Sequence, residues 1–230
     1  MSIKETKKIA DAVEGYLGSR EGAYRYSLAE FTGGLGDVVE IGSYKGKSTI
    51  WLAHGRKSNP AEKIFAVDPH LYGTEEKFRQ NLKTAQVEDR VVPIVEPSAQ
   101  AAQKWNGGRI ALLWIDGGHT YHEARTDFVS WERFVVEGGV IAFHDTYSWE
   151  GVRRLVDEEI LPDERFEILG QWDSICAVKK VGHLSMFARR KKRLFLKLRC
   201  MFNRGRSEQR HWRSVPRRIL RTLSAPKPKL

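Results

Sequence analysis

Two aspartates stand directly after apolar runs of the sequence, each with a histidine nearby. The first run ends at Asp116, and His119 follows three residues later. The second run ends at the adjacent pair His144 and Asp145. Continuous apolar runs are typical of parallel strands buried on both faces, and the carboxyl ends of such strands meet at one edge of the sheet. Because clustered carboxylate oxygens suit a hard divalent cation such as Mg²⁺, the pattern predicts a metal site at Asp116, Asp145 and His144.

A third loop has the composition of a ligand-binding turn. An apolar run over 37–41 is followed by two glycines four residues apart and then by a helical apolar pattern. Glycines let the backbone bend sharply and let a ligand approach main-chain amides. We therefore predict a strand, a tight loop and a helix, with Gly42 and Gly46 opening the loop to a ligand. An ordinary strand-to-helix turn is the alternative. The spacing is not the G-x-G-x-x-G of a dinucleotide site, which disfavours a nicotinamide oxidoreductase.

Asp68 ends a second predicted strand, over 63–67. A carboxylate at this place in an α/β sheet can accept two hydrogen bonds from a ribose diol. A simple strand-ending turn is the alternative. A helix over 74–85, with Thr74 as its N-cap, and a third strand over 90–95 follow.

The glycine loop resembles motif I of class I S-adenosylmethionine-dependent methyltransferases, on the residues Glu40-Ile41-Gly42-Ser43-Tyr44-x-Gly46-x-Ser48. It is most similar to the branch of catechol, sugar and macrolide O-methyltransferases. The pattern Ile-Asp-Gly-x-His-x-Tyr around Asp116, followed by a glycine-led strand and His144-Asp145, resembles the metal-dependent members of this branch. The resemblance covers about residues 35 to 180. It implies that Glu40, Gly42, Ser43, Tyr44, Gly46 and Ser48 contact S-adenosylmethionine as the cofactor, with Asp116 beside it. It also implies Mg²⁺-assisted methyl transfer to a hydroxyl. It also implies that Ser98 lies near the adenine, although Ser98 could equally be a helix N-cap.

The general base is where the chain departs from the family. Several sugar-modifying relatives carry an acid two residues after the aspartate that corresponds to Asp116, and this chain has Gly118 there. His119 is the best replacement, because an unperturbed histidine titrates near working pH. His144 could instead be the base or a metal ligand. Both histidines could also be structural, bonding loop carbonyl groups.

The expected fold is α/β, a Rossmann-like seven-stranded methyltransferase sheet with helices on both faces and an antiparallel last strand. A single such domain fits the length of 230 residues. The apolar residues of 3–18, 121–135 and 148–160 recur at helical spacing and predict core-facing helices. Trp149 could line the acceptor pocket or belong to the core. The predicted division is an N-terminal helical cap over 1–34, the cofactor-binding domain over 35–181 and a basic tail over 182–230.

The charge of the chain is divided between its body and its tail. The net charge is +10, but residues 182–230 hold 16 of the 39 Lys and Arg residues and a single acid. Basic amphipathic segments over 186–223 predict binding to an anionic membrane surface. A solvated arm or a contact within a homo-oligomer is an equal alternative, and nucleic-acid binding is less favoured. On the tail alone, the acceptor would be a glycolipid or a growing cell-surface polysaccharide.

The remaining features indicate a cytoplasmic protein, at the inner face of the membrane if the tail binds lipid. The first twenty residues lack the apolar region of a secretory signal, and no uncharged stretch is long enough to span a bilayer. Cys176 and Cys200 have neither metal-ligand nor disulfide spacing, so both are expected to be reduced, with Cys176 buried in a strand.

Two other functional classes stay open. A nucleic-acid methyltransferase would use the basic tail, but the chain lacks the Asn/Asp-Pro-Pro-Tyr type of pocket that stacks a flipped base. A hydroxylase or other non-methylating protein of related fold is the second class. An iron-dependent hydroxylase would need two histidines and a carboxylate on one face, which His119, His144 and Asp145 could supply.

Overall fold

The computed structural model describes residues 1–56 and 61–204, and its centre is a seven-stranded sheet. The strands are β1 Asp37–Ile41, β2 Ile64–Val67, β3 Val91–Ile94, β4 Ile110–Ile115, β5 Val135–Phe143, β6 Phe166–Trp172 and β7 Ile175–Lys180. Their order in the sheet is β3-β2-β1-β4-β5-β7-β6. The pairs from β3 to β5 are parallel, whereas β7 runs antiparallel to both β5 and β6. The predicted Rossmann-like sheet with an antiparallel last strand is confirmed.

Helices cover both faces of the sheet. They are α1 Ile3–Asp11, α2 Ser19–Phe31, α3 Lys47–Gly55, α4 Glu75–Thr84, α5 Ser98–Gln103, α6 Tyr121–Trp131, α7 Glu150–Leu155 and α8 Met186–Arg204. Apolar residues of α2, α3 and α4 share one core cluster with the sheet, and those of α5 to α8 share the other. Within residues 1–56 and 61–204, the helices are too short or too polar to cross a bilayer.

The apolar side chains of strand β4 require that helices cover both faces of the sheet. All six of its residues are buried. Leu112 and Trp114 belong to the core on the α2–α4 side, whereas Leu113 and Ile115 belong to the core on the opposite side. Successive side chains of a strand point to opposite faces, so a strand that is apolar throughout is stable only between two layers. Cys176 of β7 is likewise fully buried, as predicted.

The predicted helix over 3–18 is wrong in its second half. Helix α1 ends at Asp11, and α2 begins only at Ser19. Two glycines in the connection, Gly15 and Gly18, explain the break, because glycine is a poor helix former. The apolar residues that suggested a continuous helix, Val13 and Leu17, are nevertheless buried.

Three other boundaries differ from the expectation. Val135 opens β5 and pairs with Ile110, because a short 3₁₀ turn ends the preceding helix after Trp131. The helix predicted over 148–160 consists of α7 followed by one π-helical turn over Val156–Ile160. Thr74 is the N-cap of α4, as predicted, although its side chain makes no capping bond and its hydroxyl contacts His70 instead. Pro97, not Ser98, is the N-cap of α5.

Parts of the earlier expectations fall on residues outside the described ranges. They include the side chain of Cys200 and the part of the predicted basic segments beyond Arg204.

We predict that Leu113→Ala lowers the free energy of unfolding by about 2–5 kcal/mol, because it leaves a cavity in the centre of the buried sheet. Leu113 is fully buried, whereas Val129 on α6 is 49% exposed. The matched control Val129→Ala should change the free energy by less than about 0.5 kcal/mol. Urea denaturation of both variants measures the difference, and equal effects would contradict the assigned core.

Candidate active site

The candidate site lies where the order of the strands reverses. Strands β1 and β4 are neighbours in the sheet, and the chain leaves them toward opposite edges. Ligands of open α/β sheets bind in the crevice outside the carboxyl ends of the strands at such a switch point. Gly42 follows β1 with φ +85°, and a Cβ there would lie 2.1 Å from the carbonyl oxygen of Asp116. Only glycine allows the two loops to come this close.

A cavity of about 610 Å³ opens on one side of these two loops. It brings together most of the residues that the sequence predicted for cofactor, metal and catalysis. Those on its wall are Gly42, Ser43, Tyr44, Ser48, Asp116, His119, His144 and Asp145. Tyr44 and Asp145 have left-handed backbone conformations, with φ of 48° and 59°. Such conformations are uncommon outside glycine and cluster at functional sites.

A second cavity, of about 380 Å³, lies on the other side and shares Gly42 and Gly117 with the first. Ser98 is on its wall, apart from the predicted catalytic residues. The hydroxyl of Ser98 accepts a hydrogen bond from Trp131 Nε1 at 3.0 Å. Asp127 of α6 lines the same cavity, and burial raises its pKa to about 6, although a hydrogen bond from Ser98 opposes the rise. The two cavities therefore form one bipartite site joined at the glycine loops.

The carboxylate of Asp116 is shared between two cationic side chains. Arg25 of α2 donates from a terminal guanidinium nitrogen to Asp116 Oδ2 at 2.6 Å. His144 Nδ1 lies 3.0 Å from Asp116 Oδ1. Arg25 is only 1% exposed, and its guanidinium carbon lies 4.0 Å from the centre of the Trp114 ring. Burial alone would raise the pKa of Asp116, but His144 and Arg25 together hold it below its usual range.

His144 is surrounded by acids. Besides Asp116, its ring lies 3.4 Å from Asp145 Oδ2 and 3.5 Å from Glu21 Oε1. Burial would lower the pKa of His144, but these carboxylates raise it to about 11. Glu21 also accepts a hydrogen bond from the hydroxyl of Ser174 at 2.5 Å, and its pKa falls to about 2 despite burial. The protonated form of His144 therefore links three carboxylates and is a poor general base.

His119 and Asp145 form a separate pair at the wall of the first cavity. His119 Nε2 lies 3.1 Å from Asp145 Oδ2, and this hydrogen bond is the main cause that raises the pKa of His119. The ring of Trp149 stacks on the imidazole with centroids 4.8 Å apart. Within the described residues, Nδ1 of His119 has no hydrogen-bond partner. An imidazole held by a carboxylate on one nitrogen and open on the other is the arrangement of an oriented base.

Three predicted residues line neither cavity. Glu40 is completely buried in β1, where it accepts a hydrogen bond from Thr49 at 2.5 Å. Gly46 supplies the left-handed turn, with φ +85°, that starts α3. Asp68 accepts from the backbone amides of Tyr44 and His70 at 2.8 and 2.7 Å. These residues shape the glycine loop from behind, and the remaining lone pairs of Asp68 could still accept from a ligand.

Sequence reasoning missed the contribution of α2. Glu21 and Arg25 lie one turn apart on this helix and reach the ends of β5 and β4. The segment 22–29 is buried throughout, so a charged residue within it needs a partner. The charge of Arg25 within an otherwise uncharged segment was the sequence signal that could have identified it. The sequence near Arg25 does not show which residue pairs with it, because that contact is made in the tertiary structure.

The residues fit a small divalent cation in part. Ligand atoms of Asp116, His144 and Asp145 lie within 4.8 Å of one another. Two carboxylates from adjacent loops are the hard donors that Mg²⁺ prefers, with water or acceptor oxygens completing its shell. His144 is the weaker member of the set, because a ligating imidazole must lose the proton that its three acidic neighbours stabilise.

Comparison with known proteins shows which family the core is similar to. Residues 39–146, which contain the glycine loop and both aspartates, match the family described as a methyltransferase domain. This part of the chain is thus similar to a methyltransferase domain. A catechol O-methyltransferase of Mycobacterium tuberculosis is 31% identical over 116 residues, which are 50% of this chain and 50% of that relative. The chain thus spans about half the length of the curated relatives it matches.

Solved structures have the same fold as most of this chain. An O-methyltransferase from Bacillus cereus in complex with SAH has a TM-score of 0.60 and 21% identity, covering 77% of this chain and 90% of the other. The O-methyltransferase TomG from Streptomyces achromogenes, in complex with SAM, has a TM-score of 0.63 and 15% identity, covering 78% and 89%. At such identities the likeness supports the fold.

We predict that Glu40→Gln gains stability relative to the unchanged protein as pH rises from 5 to 8. Burial raises the pKa of Glu40 from 4.5 to about 7. Between these values the carboxyl is ionised in the unfolded state but still protonated in the folded state, so the unchanged protein loses stability as pH rises. Glutamine stays neutral, and the gain should reach roughly 2–3 kcal/mol. Urea denaturation across the pH range measures it. Glu76→Gln, at an exposed position of α4, is the control, and a gain that does not depend on pH would contradict the assignment.

Proposed function

We propose that the protein is an S-adenosylmethionine-dependent O-methyltransferase that acts on a hydroxylated acceptor. The observation that carries the proposal is the bipartite cavity around Gly42 and Gly117, with the His119–Asp145 pair on the wall of one half. The methyltransferase fold and the match of residues 39–146 support the cofactor. The geometry supports the acceptor chemistry, since an oriented imidazole stands where an acceptor oxygen could be deprotonated.

In this proposal the cofactor spans both cavities. The adenosine part occupies the second cavity, beside Ser98 and Asp127, with Asp68 at the edge of the ribose. The amino-acid part lies along the glycine loop, where Gly42 and Ser43 leave main-chain groups open to a ligand. The methyl group then enters the first cavity, on the side of His119.

The transfer is a single displacement. A lone pair of the acceptor oxygen attacks the methyl carbon, and the carbon–sulfur bond breaks with its electron pair going to sulfur. The products are the methyl ether and S-adenosylhomocysteine. The proton of the acceptor hydroxyl passes to Nδ1 of His119, whose other nitrogen donates to Asp145. Alignment of oxygen, carbon and sulfur contributes to the rate enhancement, because it removes the entropic cost of bringing the reactants together.

Asp116 and Asp145, with His144, are the residues that would hold Mg²⁺. A bound cation supplies charge that lowers the pKa of the acceptor hydroxyl and orients two acceptor oxygens. Arg25 sets the charge of this group, since it neutralises one oxygen of Asp116. The rest of the assignment does not depend on the metal, because His119 alone can accept the proton.

The lining of the first cavity favours an acceptor with a hydroxylated ring. Tyr16 and Tyr72 lie on its wall and are 95% and 89% exposed. Lys45 and Lys47 add hydrogen-bond donors on the same wall. Aromatic faces with polar groups between them suit a flat ligand that carries several hydroxyls. We propose a sugar, a glycolipid or polysaccharide, or a similar hydroxylated natural product.

We predict that the protein binds S-adenosylmethionine with micromolar affinity and that Gly42→Ala weakens binding at least tenfold. The added Cβ would meet the carbonyl oxygen of Asp116 and push apart the two loops that join the cavities. Gly34→Ala is the matched control, because Gly34 also has positive φ, +87°, but open space around it. Calorimetric titration with S-adenosylmethionine, and with NAD in parallel, measures binding. Binding of NAD instead would overturn the proposal.

The same preparations test the reaction and its metal. Methyl transfer to a panel of hydroxylated sugars and catechols is measured with Mg²⁺ and then with EDTA. We expect EDTA to lower the rate and Asp145→Asn to remove the response to Mg²⁺. An unchanged rate in EDTA would refute the metal assignment and leave methyl transfer standing. If none of the sugars and catechols is methylated although the protein binds the cofactor tightly, the proposed class of acceptor is wrong.

His119→Gln should lower kcat by about 10²- to 10⁴-fold while the affinity for S-adenosylmethionine stays unchanged, since proton transfer by a positioned side chain contributes in this range. Glutamine keeps a hydrogen bond to Asp145 but cannot take up the proton. His183→Gln, at an exposed position between β7 and α8, is the control. If both variants retain full activity, His119 is not the base.

A further inference from the structure

Helix α8 is attached to the body of the protein along one face only. Phe195 is completely buried in the core cluster beneath it. Lys192 donates from Nζ to the backbone oxygen of Phe166 at 2.9 Å, at the start of β6. Arg199 donates to Gln171 Oε1 at 2.6 Å and also pairs with Asp157. These three residues are three and four positions apart, so they define the inner face of the helix.

The opposite face carries apolar and basic side chains in contact with solvent. Met186, Phe187 and Leu194 are 80%, 68% and 57% exposed. The basic side chains interleaved with them are Arg190, Lys191, Arg193 and Lys197. None of these four forms an ion pair with another described residue, and Lys191 Nζ instead lies 4.8 Å from the centre of the Phe187 ring. We name this set, from Met186 to Lys197, the outer face of α8.

We propose that the outer face of α8 binds the surface of an anionic lipid bilayer. The helix contains eight Lys and Arg residues and no acid between Met186 and Arg204, so its charge is complementary to acidic headgroups. Its exposed apolar side chains would enter the boundary between headgroups and acyl chains, as in amphipathic helices that lie in the membrane plane. Each basic residue near an anionic surface contributes a factor of about five to binding.

The apolar side chains decide between a membrane and a nucleic acid. A polyanion such as DNA or RNA is held by basic residues and, where single-stranded, by stacking aromatics. It gains nothing from exposed Met186 and Leu194, which lose contact with water only in an apolar medium. The docked inner face is equally important, because Phe195, Lys192 and Arg199 hold the helix along the body and keep its outer face presented.

The inference does not rest on the proposed reaction. Binding to vesicles is measured without cofactor or acceptor, so its outcome is independent of methyl transfer. Binding of α8 to a membrane would place the active site at the bilayer surface, where it could meet acceptors that are themselves anchored in lipid.

The full-length chain is tested by co-sedimentation with vesicles of phosphatidylcholine alone and of phosphatidylcholine mixed with phosphatidylserine. A charge variant combines Arg190→Gln, Arg193→Gln and Lys197→Gln. An apolar variant combines Phe187→Ser and Leu194→Ser and leaves every charge in place. The matched control, Lys83→Gln with Val129→Ser, removes an exposed basic and an exposed apolar residue from α4 and α6.

We expect binding to the phosphatidylserine vesicles only, at least a tenfold loss in the charge variant, and at least a fivefold loss in the apolar variant. The control should bind like the unchanged protein. Full binding by both α8 variants would overturn the proposal, even if the chain reached the vesicles through other residues. If the unchanged protein binds an oligonucleotide but no vesicles, and both α8 variants lose affinity for the oligonucleotide equally, the outer face of α8 is a nucleic-acid surface instead. A change of oligomeric state in the apolar variant, measured by sedimentation without vesicles, would show a self-contact instead.

Discussion

The rest of the site depends on the pairing of one partly buried carboxylate at the carboxyl edge of the sheet. Asp116 stands at the end of β4, between Arg25 from α2 and His144 from the end of β5. A carboxylate that has lost most of its contact with water needs close partners, because opposite charge and hydrogen bonds must replace its lost hydration. These two contacts therefore connect α2 with the ends of β4 and β5. They also fix the charge balance that a cofactor sulfonium or a metal ion would meet.

The position of the cavities follows from the order of the strands. Because the chain turns from β3 back past β1 to β4, the loops after β1 and β4 separate toward opposite faces and leave a crevice between them. Gly42 brings these loops within contact distance at one point, which divides the crevice into two halves. The larger half carries the acids and histidines, and the smaller half carries Ser98 and Asp127. A two-part ligand matches this shape.

Most of the sheet and half of the site could be predicted from local patterns. Apolar runs that end in an acid or a glycine identify β1, β2, β4 and β5, and residues at the ends of parallel strands must converge. Arg25 escaped prediction because its partner lies 91 residues away, a distance over which sequence spacing carries no geometric information. The break between α1 and α2 and the early end of α6 were missed for a different reason. There, apolar spacing continued across glycines and a 3₁₀ turn, and burial does not require an unbroken helix.

The hydrogen bond between Glu21 and Ser174 joins positions 153 residues apart and encloses nearly the whole sheet. Contacts of such long range form late in folding, because the entropy of closing the loop is offset only after the intervening strands have paired. Glu21 and Arg25 leave the ribosome early, yet Arg25 reaches its partner only after β4 has been made, and Glu21 reaches its last partner only after Ser174 has been made. The hydrogen bonds of the charged centre are therefore complete only when the chain extends to Ser174, and fragments that stop before this residue lack the last of them.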